Sequence, residues 1–120
     1  MKTILLVDDS ATLLMSMQAI LQKAGYAVET ANGGDAALKK LQTLKPNLMI
    51  TDLNMPGMDG ITLIKEVKKQ PSFRFMPVLM MTTESQQEKR NEARTAGATG
   101  WLVKPVQPEQ LMEVLKKLLP

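Results

Sequence analysis

Acidic, hydroxyl and amine side chains stand at the ends of short apolar runs in this sequence. Asp8 and Asp9 follow ILLV, Asp52 ends LMITD, Thr82 ends VLMMT and Lys104 follows WLV. The chain contains no cysteine and no histidine, which excludes thiolate chemistry, imidazole bases and most transition-metal sites. Any chemistry must therefore use carboxylate, hydroxyl, amide, amine or guanidinium groups.

Five short apolar runs alternate with longer segments of helical period. The predicted strands are 3–8, 26–31, 47–52, 77–82 and 99–104. The helical stripes are Leu13, Met17, Ile20, Leu21 and Ala24 before Gly25; Ala37, Leu38, Leu41 and Leu44 before Pro46; Ile61, Ile64 and Val67; and Leu111, Leu115 and Leu118. The alternation predicts an α/β fold, a doubly wound (βα)5 flavodoxin-like three-layer sandwich whose five-stranded parallel sheet has the order 2-1-3-4-5.

Parallel sheets of this type place their sites at the carboxyl ends of the strands. The first and third strands are neighbours in the predicted order, so Asp8, Asp9 and Asp52 should converge there, flanked by Thr82 and Lys104. Three adjacent carboxylates repel one another unless a counter-charge is present. A hard divalent cation such as Mg²⁺ takes oxygen ligands and supplies that charge. With a lysine and a hydroxyl group beside it, this edge suits a phosphoryl group.

Each of these residues also has a purely structural interpretation. Asp9 or Ser10 could cap the first helix, and Asp52 could start the turn before Met55-Pro56-Gly57. Thr82 or Thr83 could cap the fourth helix, Lys104 could simply be solvated, and the ten methionines could be flexible core filler. The joint placement of compatible groups at separate strand ends favours the functional interpretation.

The fourth helical segment is almost devoid of apolar residues. From Glu84 to Ala96 its only apolar residues are Ala93 and Ala96. Few buried contacts place a segment at the low-stability end of a fold, where moving parts are usually found. We therefore expect a weakly anchored helix there, or alternatively a merely solvated one.

The composition predicts a single domain over residues 1–120. The net charge is +3, but the cations are scattered near predicted helix ends, so nucleic-acid binding by this domain is not expected. No apolar segment is long enough to span a membrane, and the aspartates near the N-terminus argue against a signal peptide. A cytoplasmic monomer is expected.

The chain resembles the receiver domain of two-component response regulators. The resemblance rests on Asp8-Asp9, on Asp52 with Met55-Pro56 and Asp59-Gly60, on Thr82, and on AGATGWLVKP at 96–105. It runs end to end and is strongest to the free-standing chemotaxis CheY-like members. The resemblance predicts a phosphoprotein of phosphorelay signal transduction that controls a partner.

The resemblance also implies a role for each site residue. Asp52 is the phosphoacceptor; Asp8 or Asp9, Asp52 and the backbone carbonyl of Asn54 hold Mg²⁺, for which Mn²⁺ could substitute. Thr82 and Lys104 contact the phosphoryl oxygens. The bond from Lys104 to Pro105 is implied to be cis, which only X-Pro bonds adopt at low cost.

Partners and regulation are implied in the same way. The donor is a phosphohistidine on a sensor histidine kinase or a CheA-like protein, and Asn54 and Glu84 tune the phosphoryl lifetime. Thr82 and Trp101 form the switch, although the family usually has tyrosine or phenylalanine at the position of Trp101. The output partner, whose identity the sequence leaves unknown, is expected on the surface of the fourth helix, fifth strand and fifth helix.

Three alternatives remain open at this point. A haloacid-dehalogenase-like phosphatase also uses an aspartyl nucleophile with Mg²⁺, but it normally has a second aspartate where this chain has Asn54. A flavodoxin-like cofactor binder would have a hydroxyl- and glycine-rich loop in place of DDSAT. A receiver used only for docking, without phosphorylation, is the third.

Overall fold

The computed structural model describes residues 1–83 and 87–119. The strands are β1 (Thr3–Val7), β2 (Ala27–Ala31), β3 (Leu48–Asp52), β4 (Val78–Thr82) and β5 (Gly100–Val103). The helices are α1 (Ala11–Lys23), α2 (Gly34–Lys40), α3 (Gly60–Lys68), α4 (Gln87–Ala96) and α5 (Pro108–Leu118). The 3₁₀ turn Pro71–Phe73 was not predicted from the sequence.

The five strands form one parallel sheet in the order β2-β1-β3-β4-β5, which confirms the predicted topology. The register pairs Val7 with Thr51, and Asp52 with Met81. It also pairs Thr82 with Val103. The carboxyl ends of β1, β3, β4 and β5 are therefore aligned at one edge, so residues that end these strands or follow them lie close together.

Each face of the sheet buries its own apolar cluster. Leu5, Val7, Met49, Val78 and Met80 pack beneath α2, α3 and α4. The alternate strand residues pack beneath α1 and α5; they include Ile4, Leu6, Leu48, Ile50, Leu79 and Met81. Burial on both faces explains why the strands read as continuous apolar runs rather than as alternating ones.

Most methionines belong to this core, as the structural interpretation predicted. The buried ones are Met17, Met49, Met55, Met76, Met80 and Met81. Their unbranched side chains fill irregular gaps between sheet and helices.

Local signals define the ends of two helices. The Ser10 hydroxyl accepts a hydrogen bond from the Leu13 amide and caps α1, whereas Asp59 caps α3 by accepting one from the Thr62 amide. Gly25 follows α1 with φ of 100°, a left-handed conformation that glycine adopts without steric cost. Gly25 therefore ends α1, as predicted.

Two predicted helix details were wrong. In α1 the predicted Met17 and Leu21 are buried and the predicted Leu13 and Ile20 are half-buried against the same cluster. Ala24 is instead exposed, because it lies past the last helical residue, and the buried Leu14 was missed. The second helix ends at Lys40, well before Pro46. The amides of Gln42 and Thr43 instead bond three residues back, which tightens the chain into turns before β3.

Lys68 at the end of α3 fastens the segment that leads into β4. Its ammonium donates to the carbonyl oxygens of Phe73 and Arg74, each at 3.1 Å, and to that of Met76. Burial lowers the pKa of Lys68. No signal in the sequence pointed to this contact, since a lysine in the last turn of a helix usually faces solvent.

Candidate functional site

The carboxyl edge of the sheet collects the polar residues that the sequence placed at strand ends. Asp8 follows β1, Asp52 ends β3 and Thr82 ends β4. All three are buried, with relative exposures of 0%, 5% and 3%. Buried polar side chains are uncommon unless they are paired, so this cluster stands apart from the apolar core beneath it.

Lys104 joins the two buried carboxylates. Its Nζ lies 3.0 Å from Asp8 Oδ2 and 3.1 Å from Asp52 Oδ1. The lysine follows β5 and reaches back across the sheet edge, and its bond to Pro105 is cis. One ammonium thus compensates two carboxylates that are far apart in sequence and adjacent in the fold.

The electrostatics of the site reflect burial and this pairing. Burial raises the pKa of the Asp52 carboxyl, and the Asp8 carboxylate raises it further, while the hydrogen bond from Lys104 opposes both. Burial alone would lower the pKa of the Lys104 ammonium, but its hydrogen bonds to Asp8 and Asp52 outweigh burial and raise that pKa. The two carboxylates therefore stabilise positive charge at the site, as they do the charge of the Lys104 ammonium.

The carboxylates of Asp8, Asp9 and Asp52 form a group that could hold a metal ion. One oxygen from each lies within 4.8 Å of the others, and Asp9 is the exposed member. Such separations let several oxygens reach one small cation, and carboxylate oxygens are the ligands that Mg²⁺ prefers. The donor set fits a hard divalent cation.

The structure shows which of Asp9 and Ser10 caps α1 and which residue of the Asp8-Asp9 pair belongs to the buried site. Ser10, not Asp9, caps α1, and Asp8 accepts a hydrogen bond from the Ser10 amide at 2.9 Å through Oδ1. Its other carboxylate oxygen, Oδ2, faces Lys104. Asp8 is thereby fixed in orientation, while the carboxylate of Asp9 is left at the solvent side of the site.

The loop after β3 is shaped by close backbone packing. The Gly60 amide donates to the Leu53 carbonyl at 2.8 Å, and a Cβ atom at Gly60 would lie 2.2 Å from the Asp52 carbonyl oxygen. Gly57 adopts φ of 78°, which favours glycine. Asn54 lies exposed at the start of this loop; the metal-binding role of its carbonyl stays a prediction.

A small cavity separates β4 from α4. Leu53, Met80 and Ala93 form its apolar wall. The remaining lining residues are Thr82, Lys89, Arg90 and Trp101. Trp101 is half-buried on β5 opposite Met80, so the two predicted switch residues border the same space. Glu84, predicted to tune the phosphoryl lifetime, lies outside the described residues.

Two arginines of α4 contact Trp101, which sequence reasoning missed. The Arg90 guanidinium carbon lies 4.6 Å from the ring centroid and that of Arg94 lies 5.4 Å from it. Residues four apart share one face of a helix, so the spacing was visible in the sequence. That this face covers Trp101 was not.

The fold and the site define a class of protein: a doubly wound parallel α/β domain with an acidic, lysine-bridged site at the carboxyl edge of its sheet. The family model for the response regulator receiver domain matches residues 4–116. The chain therefore belongs to the response regulator receiver domain family. Within this family it is a CheY-like receiver. Within the described residues, no helix is long and apolar enough to cross a membrane.

Curated relatives include both short and long proteins. The chemotaxis protein CheY of Thermotoga maritima is 39% identical over 119 residues, which cover 98% of this chain and 97% of CheY. The alkaline phosphatase synthesis transcriptional regulatory protein PhoP of Bacillus subtilis is 34% identical, and the match covers 98% of this chain. The chain spans only 48% of the length of PhoP.

Solved structures agree closely with this fold. Chemotaxis protein CheY4 of Vibrio cholerae superposes with a TM-score of 0.96 at 45% identity, covering 99% of both chains. The response regulator TrrA of T. maritima, solved in complex with Mg²⁺ and BeF, has a TM-score of 0.88 at 33% identity over 99% of this chain and 100% of TrrA. Family membership sets aside the phosphatase and flavin-binding alternatives.

Proposed function

We propose that this domain is a phosphorylation-dependent signalling switch and that Asp52 accepts a phosphoryl group from a phosphohistidine of a sensor histidine kinase or a CheA-like phosphodonor. The observation that carries the proposal is the pairing of Lys104 with the buried carboxylates of Asp8 and Asp52. An ammonium fixed beside a buried nucleophile is placed to meet the charge of an incoming phosphoryl group.

The chemistry assigned to the side chains is phosphoryl transfer. An Asp52 carboxylate oxygen attacks phosphorus, the bond from phosphorus to the donor imidazole nitrogen breaks, and the imidazole leaves with its electron pair and takes up a proton. A carboxylate needs no general base for this attack, in keeping with a chain that lacks histidine. Lys104 and Thr82 contact the phosphoryl oxygens and stabilise their charge. Water then hydrolyses the acyl phosphate and resets the domain.

A divalent cation completes the proposal. Asp8, Asp9, Asp52 and the backbone carbonyl of Asn54 would hold Mg²⁺, or Mn²⁺ in its place. When bound, the cation neutralises charge on the phosphoryl oxygens. The cluster of three carboxylates supports this assignment because its oxygens lie within 4.8 Å of one another.

We propose that the signal is passed on through the surface formed by α4, β5 and α5, where an unidentified partner protein would bind. Thr82 and Trp101 border the cavity between the site and that surface, so added charge at Asp52 could bias their arrangement. Asn54 and Glu84 are proposed to set the lifetime of the phosphoryl group. The domain, residues 1–120, is proposed to act in the cytoplasm as a monomer.

Chemical phosphorylation tests the central assignment. We expect a small-molecule phosphodonor with Mg²⁺ to add one phosphoryl group to the wild-type chain, detected by intact mass, and hydroxylamine to remove it as expected for an acyl phosphate. The Asp52→Asn variant should take up none. Asp35→Asn, which changes an exposed aspartate in the first turn of α2, is the matched control and should label like wild type.

Two results would contradict the assignment. Undiminished labelling of Asp52→Asn would place the phosphoryl group elsewhere. A wild-type chain that takes up no phosphoryl group, while Mg²⁺ binding and folding are intact, would favour the remaining alternative, a receiver that docks without phosphorylation.

A further inference from the structure

We propose that Arg90, supported by Arg94, is a cation–π latch that fastens Trp101 to α4 and thereby resists rearrangement of this ring and helix. The inference rests on the proposed function only where it concerns occupation of the Asp52 site. Arg90 is a positioning residue in this proposal, since it acts through Trp101.

The geometry of the latch is defined by two stacked guanidinium groups. Arg90 lies 4.6 Å and Arg94 lies 5.4 Å from the centroid of the Trp101 ring. Cations within about 6 Å of an indole centroid are attracted by its negative face, and tryptophan is the strongest aromatic partner. Both arginines therefore attract the ring toward α4, and Arg90 is the closer.

This contact matters because α4 buries little apolar surface. Ala93 is its one buried residue in the described part of the chain, and half-buried Ala96 also packs against the core. Arg90 and Arg94 lie one turn apart on the helix, so both reach Trp101. The cation–π contacts therefore add to a small apolar attachment.

The Arg90 side chain is partly buried beside the ring. Its guanidinium group therefore meets Trp101 in surroundings that are partly shielded from water, where a cation–π contact is stronger than at a fully exposed site.

The position of the latch connects it to the site. Arg90 and Trp101 line the cavity that Thr82 also borders, and Trp101 pairs in register with Met80, two residues before Thr82. A shift of the ring into this cavity must break the Arg90 contact or carry α4 with it. The latch therefore stabilises the arrangement described here, and its loss should favour the rearranged form.

Neutral variants of the arginines test the latch in the metal-free protein. The readout is acrylamide quenching of Trp101, the single tryptophan; acrylamide is uncharged, so charge changes do not alter its local concentration. We expect Arg90→Gln to raise the quenching constant roughly twofold or more, Arg94→Gln to raise it less, and Arg90→Lys to stay nearer wild type. Lys39→Gln, which removes an exposed charge from α2, should match wild type.

Beryllofluoride with Mg²⁺ serves as the probe of the occupied site. Because the latch holds the unoccupied arrangement, Arg90→Gln should lower the half-saturating beryllofluoride concentration about two- to fivefold, the factor expected for loss of a partly exposed cation–π contact. Lys39→Gln should leave that concentration unchanged.

The outcomes separate the latch from the proposed function. Equal quenching in wild type, Arg90→Gln and Lys39→Gln, with far-UV circular dichroism unchanged, would overturn the latch whether or not the site binds beryllofluoride. An equal rise in Lys39→Gln and Arg90→Gln would also overturn it, since the effect would then be one of overall charge. A wild-type chain that binds no beryllofluoride would count against the proposed function, and quenching would still decide the latch.

Discussion

Asp52 and Asp8 show how the fold gives ordinary residues unusual surroundings. Both carboxylates are buried, and the Lys104 ammonium compensates them together at 3.0 and 3.1 Å. Two carboxylates thus share one ammonium. Removing Lys104 would leave both carboxylates uncompensated, whereas removing one carboxylate leaves the other paired with Lys104.

The pH dependence of stability should report the burial of Asp52. Its pKa is raised in the folded, metal-free protein above the usual value of 3.8. A carboxyl group with a raised folded pKa destabilises the fold above that pKa, and the effect vanishes below the unfolded value. We therefore expect Asp52→Asn to be more stable than wild type at neutral pH in EDTA, by an amount that shrinks as the pH falls toward 3.8.

Urea unfolding at several pH values measures this difference, with Asp35→Asn as the control for loss of an exposed charge. A variant that is less stable than wild type at neutral pH, or a gap that does not change with pH, would show that burial does not govern the Asp52 carboxyl.

Gly60 is required by contact with the backbone of the site strand. An added Cβ atom would lie 2.2 Å from the carbonyl oxygen of Asp52, and a backbone atom cannot move aside as a flexible side chain can. We expect Gly60→Ala to lower the free energy of unfolding by about 1–3 kcal/mol. Gly100→Ala, where the added Cβ atom would meet only the Leu79 side chain at an ordinary contact distance of 3.5 Å, should change it by less than about 1 kcal/mol. Equal effects in urea unfolding would refute the clash.

At the scale of elements, α3 and α4 are neighbours that are anchored in opposite ways. α3 buries Ile61, Leu63, Ile64 and Val67, and Lys68 at its end holds three carbonyl groups of the segment before β4. α4 buries Ala93 alone among the described residues. A firmly anchored helix beside a weakly held one suits the proposed switch, in which the surface of α4, β5 and α5 rearranges.

Amide hydrogen exchange should reveal this contrast. Because each fully buried aliphatic side chain contributes about 1.5–3 kcal/mol, we expect amides of α4 to show protection factors at least roughly tenfold lower than those of α3. Mass spectrometry of peptides from the two helices in the metal-free protein measures the difference. Matching protection in α3 and α4 would show that the arginine and tryptophan contacts alone anchor α4 firmly.

At the scale of the whole molecule, the sheet brings together residues that are far apart in the sequence. Lys104 and Asp8 are separated by 96 positions yet share a hydrogen bond, because parallel strands all end at the same edge. The site therefore exists only in the folded chain, and anything bound there should stabilise the fold as a whole.

Magnesium should raise global stability through the acidic cluster. At a free concentration 100 times the dissociation constant, Mg²⁺ should stabilise the wild-type fold by about 2.7 kcal/mol. The gain should largely disappear in Asp9→Asn, whose carboxylate is the exposed member of the cluster, and persist in Asp35→Asn. Thermal and urea unfolding across a Mg²⁺ titration measure it. The same gain in Asp9→Asn would remove that residue from the ligand set.

Topology and the location of the site were predictable from the sequence because they depend on short-range patterns. Apolar runs of strand length, separated by segments of helical period, allow little but a parallel sheet with right-handed crossovers, and the strand ends then identify Asp8, Asp52, Thr82 and Lys104. Helix α2 was predicted too long because turn formation before β3 outweighed its apolar spacing. The predicted α1 stripe faces the core except at Ala24, which lies past the last helical residue and is exposed.

The sequence by itself determined the fold class, the strand order and the residues that meet at the sheet edge, since hydrophobic period and strand-end chemistry are encoded locally. Only the tertiary structure decided that Asp8 is buried while Asp9 faces solvent and that Lys104 bridges two carboxylates. It alone showed Lys68 holding the segment before β4 and Arg90 stacking on Trp101. These contacts join segments that are distant or differently oriented, and their distances are set by how the helices pack on the sheet.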